Sequence, residues 1–155
     1  MYRKFAQLYL GDMMEINTNI RRNFMGPTWL KLAVLYLVIG ISVGLFMSYT
    51  IQLNWAAGHA HTNVVGWLTT LGIGAVLCVY PHLAKNKLGI ATFWLYHIGV
   101  PLFIFSTFYV QVNPGVAHIF TFIGGPMFLI AIILFGINLF LNLRESNTSN
   151  YEQKV

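Results

Sequence analysis

Apolar residues fill most of this chain, with few charges to break them. After Lys31 there is no Asp, Glu, Lys or Arg until Lys85, and after Lys87 there is none until Arg144. Each gap exceeds fifty residues. A membrane-crossing helix takes about 20 apolar residues, so each gap holds two helices and a short turn. The pattern predicts four spans at roughly 30–53, 60–82, 89–111 and 115–143, the last long enough to tilt. Upstream, Phe5, Tyr9, Met13, Ile16, Ile20 and Phe24 recur at helical spacing, with Arg3, Lys4, Asp12, Glu15, Arg21 and Arg22 between them. That is the pattern of an amphipathic helix lying on a membrane surface. Gly26 and Pro27 separate it from the first span, and the tail RESNTSNYEQKV is polar.

The expected architecture is an all-α, integral membrane four-helix bundle with an N-terminal amphipathic interfacial helix. It divides into an amphipathic segment over 1–26, a four-span domain over 27–143 and a polar tail over 144–155. Composition agrees: 57% of residues are hydrophobic and 8% charged, against about a quarter charged in soluble domains. The start lacks the apolar core and small-residue cleavage site of a signal peptide.

Charge adds an orientation. Arg3, Lys4, Arg21, Arg22 and Lys31 precede the first span, Lys85 and Lys87 lie between the second and third, and Arg144 and Lys154 follow the fourth. The other two turns, around NWAAG and QVNPG, carry no charge. An even number of spans places all the basic segments on one side, which the positive-inside rule makes cytoplasmic. This predicts a multi-pass plasma-membrane protein with both termini cytoplasmic. The net charge of +5 then reflects topology and contact with anionic lipid, and nucleic acid is not an expected partner. The single cysteine, Cys78, excludes an internal disulfide and reads as a small buried hydrophobe.

The chemistry resides in five histidines, all in or beside the spans. Ionisable residues in membrane helices are costly and therefore functional candidates. Residues 58–67 read GHAHTNVVGW. His59 and His61 stand about 200° apart around a helix, so one faces the bundle while the other finds a different neighbour. His61, further inside, is the preferred ligand. His59 is left to cap the entry or to be the ligand itself, and Asn63 adds a polar group needing a partner. His118, near the start of the fourth span, is expected at a depth similar to His61, within about 5 Å of the helix starts. It reads either as a cap on the turn or as a metal ligand. His97 lies deeper, by roughly 10 Å or more on the same rise. His82, beside Lys85 and Lys87, reads as a headgroup contact.

Small residues could open a slot for a flat macrocycle: Gly40 and Gly44, Gly72 and Gly74, and Gly124 and Gly125 with Pro126, which interrupt the fourth span. Trp67, Tyr80, Phe93, Trp94, Tyr96, Phe120 and Phe122 could wall it. A GxxxG step is more often plain helix packing, and Trp29, Tyr49, Trp55 and Tyr109 read as interfacial belt residues.

The stretch HAHTNVVGWLTTLGIGAVLCVYP resembles the second transmembrane helix of subunit I in the haem–copper oxidase superfamily, including the nitric oxide reductases. His61, Thr62, Trp67, Tyr80 and Pro81 carry the likeness. The segment FWLYHIGVP is similar to that in short four-helix proteins labelled cytochrome oxidase subunit I-like, and with those the resemblance covers residues 30 to 143. It implies a haem b ligated by His61. His118 is the preferred second ligand and His97 its rival, and His59 could bond a haem propionate.

Too few histidines are present for two haems and a copper, the spans carry no Asp or Glu, and no His–Tyr pair has the oxidase spacing. Proton-pumping oxygen reduction by this chain alone is therefore not expected. The expectation is a b-type haem protein working in electron transfer or in binding NO or O2. Any enzyme activity would be that of an oxidoreductase. The protein would be a homo-oligomer in lipid, with a possible copper and a redox partner or gas ligand. A copper-binding accessory or assembly protein without haem, using His59, His61 and His118, is the alternative.

Overall fold

The computed structural model describes residues 25–143 together with Gln7. The predicted amphipathic helix and the polar tail fall almost wholly outside these residues. Among the described residues, four helices are long and apolar enough to cross a membrane: α1 (Met25–Thr50), α2 (Leu53–Val79), α3 (Lys87–Tyr109) and α4 (Pro114–Asn142). The described residues contain no strand, so the fold is the expected all-α membrane bundle. The exteriors of α1 and α4 carry Val38, Ile41 and Leu45, and Leu129, Ile133 and Phe140, all exposed. Apolar groups on the outside and polar groups bonded within is the arrangement that a hydrocarbon solvent demands.

Helix boundaries follow local chemistry. Pro27 sits in the first turn of α1 rather than before it, where its missing N–H removes no helical bond. Ile51, with φ 56°, turns the chain between α1 and α2. Asn86 caps α3 by accepting from the Gly89 N–H at 2.7 Å, and Asn113 caps α4 from the Val116 N–H at 3.1 Å, with Pro114 in the first turn. The Gly124–Pro126 stretch does not interrupt α4, which runs unbroken past it. Those glycines instead seat α3. A Cβ on Gly124 would lie 2.6 Å from the Phe103 nitrogen, and one on Gly99 would lie 2.8 Å from the Met127 Cβ. Small residues facing one another in this way allow close helix approach in lipid.

α1 packs against α2, α3 lies along α4, and the first half of α2 touches α3. α2 and α4 share no comparable contact, so they flank α3. The turn His82–Lys85 and the end of α4 are latched by amides. Fully buried Asn138 accepts from the Asn86 Nδ2 at 2.5 Å and from the Asn142 Nδ2 at 3.0 Å, and donates to the Leu83 carbonyl at 2.8 Å. His82 reaches the Asn142 carbonyl at 2.9 Å, so its partner within the protein is the end of α4. Cys78 is exposed in the last turn of α2, not buried. Its Sγ lies 2.7 Å from where a Cβ on Gly26 would stand.

Candidate functional site

The HAHTN stretch opens a π-helical segment, Thr62–Thr69, in the middle of α2. Its side chains explain the widening. His61 Nδ1, the Thr62 hydroxyl and the Asn63 amide each bond the carbonyl four residues back, on Ala57, Gly58 and His59, at 2.7, 2.8 and 2.9 Å. The Thr69 hydroxyl reaches five residues back to Val64 at 2.8 Å. The Val65 carbonyl accepts from the Tyr96 hydroxyl at 2.5 Å, and Thr70 donates to that hydroxyl at 3.1 Å. Side chains that compete for helix carbonyls loosen the regular ladder. Wide turns of this kind are frequent at functional sites.

The two histidines diverge as their spacing requires. His59 enters the α1–α2 seam, where Nδ1 lies 3.0 Å from the Gly40 carbonyl and 3.4 Å from the Asn63 amide. The GxxxG step makes room: a Cβ on Gly44 would stand 2.8 Å from His59 Cε1, and one on Gly40 would stand 2.5 Å from the Asn63 Oδ1. His61 turns the other way. With Ala60, Val64 and Val65 it lines an open groove of about 230 Å³, and its ring meets the edge of Phe103 at 5.2 Å. Because Nδ1 is held by the Ala57 carbonyl, Nε2 is the nitrogen left for a ligand. A carbonyl on the other ring nitrogen is the usual setting of a metal-ligating imidazole.

The remaining candidates stand apart. His118 is exposed on α4 and makes no hydrogen bond or ring contact. His97 is half-buried on α3. Its Nδ1 is 2.9 Å from the Phe93 carbonyl, and its ring packs on Trp29 at 4.3 Å and Phe93 at 4.5 Å. No hydrogen bond or ring contact joins any two of the histidines, and no three His, Cys, Asp or Glu converge among the described residues. Contacting pairs mark the levels. His61 meets Phe103, and Thr121 bonds Ser106 at 2.9 Å, which sets His118 level with residue 109. Each rival is thus six residues from Phe103, roughly 9 Å along the axis, His118 toward the uncharged turns and His97 toward the basic end. Depth does not separate them.

Nor do the expected aromatic walls form one chamber. Trp94 and Phe122 are exposed, Trp67 is half-buried on α2, Tyr80 packs on His82, and Phe120 packs on Phe105. Phe93 and Tyr96 surround Trp29, which is fully buried rather than a belt residue. Phe103, unremarked among the apolar residues of its span, is the aromatic that meets His61.

The chain is 24% identical, over 135 residues, to the cytochrome c oxidase subunit 1 homolog, bacteroid, of Bradyrhizobium diazoefficiens, across 67% of this chain and 24% of that protein. It is 21% identical, over 137 residues, to the cytochrome c oxidase subunit 1 homolog of Azorhizobium caulinodans, across 69% of this chain and 24% of that protein. These sequences share a distant relationship. The chain spans about a quarter of the length of the curated relatives it matches. No family profile and no solved structure matches it. With four apolar helices, it is a multi-pass membrane protein distantly similar to oxidase subunit 1.

Proposed function

We propose that this protein binds haem b through His61 and works in electron transfer or in binding a diatomic gas such as NO or O2. The observation that carries the reading is the His61 ring itself. Ala57 clamps Nδ1 at 2.7 Å, and the ring lines an apolar groove walled by Ala60, Val64 and Val65. The donor is the Nε2 that this bond leaves free, and the walls carry no competing polar side chain, which suits one face of a macrocycle. Bound there, the haem would supply one-electron chemistry or an iron for a gas ligand. This chain's part is to aim Nε2, hold the ring against Phe103 and keep water from that face.

The similarity to oxidase subunit 1 homologues supports the same reading. Neither His97 nor His118 shares the level of His61, and His59, close to it along α2, turns into the seam with α1. The reading therefore gives the iron one histidine per protomer, its other face left to a gas or to a second copy of the chain. The basic end, with Lys85 and Lys87, faces the cytoplasm of a plasma membrane in this account.

Oxidised and dithionite-reduced spectra of the purified protein, with and without CO and NO and with metal analysis, test it. The expected result is a Soret band that shifts with CO. Sharp reduced bands indifferent to CO would require a second axial histidine. No Soret band after expression with ample haem would refute the reading, and copper without haem would favour a metal-binding accessory protein.

A further inference from the structure

α1 and α3 meet around Trp29 and His97, away from the groove. Trp29 is fully buried, hemmed by Phe93 at 5.9 Å, Tyr96 at 4.8 Å and His97 at 4.3 Å between ring centroids. Among the described residues, three buried side-chain polar atoms have no partner, the Trp29 indole Nε1, the His97 imidazole Nε2 and the Thr92 hydroxyl, and the first two belong to rings in contact. Their chemistry is complementary. An indole N–H only donates. His97 Nδ1, 2.9 Å from the Phe93 carbonyl, donates its proton there, so Nε2 presents a lone pair. The two rings touch, yet no direct bond joins the two nitrogens. Buried polar groups in proteins almost always have a partner, often an internal water.

We propose that one water molecule bridges these atoms, accepting from the Trp29 indole and donating to His97 Nε2. The chemistry excludes other small guests. A cation would face the indole N–H, which repels it. An apolar guest would leave both atoms unsatisfied. The water makes His97 the joint between α1 and α3, with its Nε2 occupied and withheld from metal. This inference goes beyond the haem reading and stands whether or not haem binds.

The test is NMR of the full chain, reduced, in nanodiscs, with ¹⁵N-labelled tryptophan and histidine. Trp29 Hε1 is assigned by its loss in Trp29→Phe. The expected result is a dipolar cross-peak from Trp29 Hε1 to water that His97→Phe removes while the indole proton moves upfield. Should His97→Phe not fold, Trp29→Phe must shift the ¹⁵N resonance of His97 Nε2 toward that of an unbonded lone pair. Absence of the water cross-peak in the wild type would overturn the proposal. So would a through-bond ¹⁵N–¹⁵N coupling between the two rings, which marks a direct bond. Loss of a Soret band in His97→Phe would place iron on Nε2 and overturn it too, while a band retained there leaves the His61 reading intact.

Discussion

His59 and His61 are the same residue two positions apart, and the fold gives them opposite surroundings. Two helical steps, about 200° together, separate them, so neighbours decide what each becomes. His59 meets α1 where Gly40 and Gly44 leave no side chain, and its Nδ1 comes within 3.0 Å of a backbone carbonyl of that helix. It is a tether between helices. His61 meets no helix face of that kind. Its Nδ1 is tied to its own helix at 2.7 Å, and the rest of its ring borders an open apolar groove. One ring is thus satisfied by another helix and the other by its own backbone, and of the two only His61 borders the open groove.

That contrast breaks if seam and groove substitutions behave alike. The largest expected effect on stability is from Gly44→Leu, which drives a side chain into a space where even a Cβ would stand 2.8 Å from His59. It should cost about 2–3 kcal/mol, the upper range for overpacking, in a reversible unfolding assay in detergent, with haem per folded protein unchanged. His59→Ala should cost about 1–3 kcal/mol, since it strips a partner from buried polar groups, again without changing haem content. Phe103→Leu should cost under about 1.5 kcal/mol as a modest change of apolar volume, yet shift the visible spectrum, because the ring it removes packs on His61. Smallest is Thr121→Val, which removes one hydroxyl bond to Ser106 at about 1 kcal/mol and leaves the spectrum alone. A seam variant that empties the groove of haem, or a groove variant that unfolds the bundle, would undo the division.

The long charge-free runs made the four helices legible, because nothing but a membrane accommodates them. The ends were less so. α2 begins at Leu53, well before the roughly residue-60 start that the hydrophobic pattern suggests, because the uncharged NWAAG stretch, expected as the turn, is itself helical. The divergence of His59 and His61 followed from helical geometry alone. Which of them would face α1 did not, since that depends on the Gly40 and Gly44 face meeting residues 59 and 63 across the seam. Trp29 read as a belt residue because its place near a span end says nothing of the α3 aromatics that bury it. Asn138 carried a readable signal that went unused: a lone amide in an apolar span needs a partner, and it finds Asn86, Asn142 and Leu83. The missing common chamber has the same origin. Helical spacing assigns a residue to a face, while the flanking of α3 by α2 and α4 decides which faces meet.

The most direct test of the central claim is haem content per protein, by the pyridine haemochrome method, for wild type, His61→Ala and His59→Ala purified side by side. Haem is expected in the wild type, lost in His61→Ala and retained in His59→Ala. Haem retained in His61→Ala but lost in His59→Ala would contradict that claim and assign the iron to the seam.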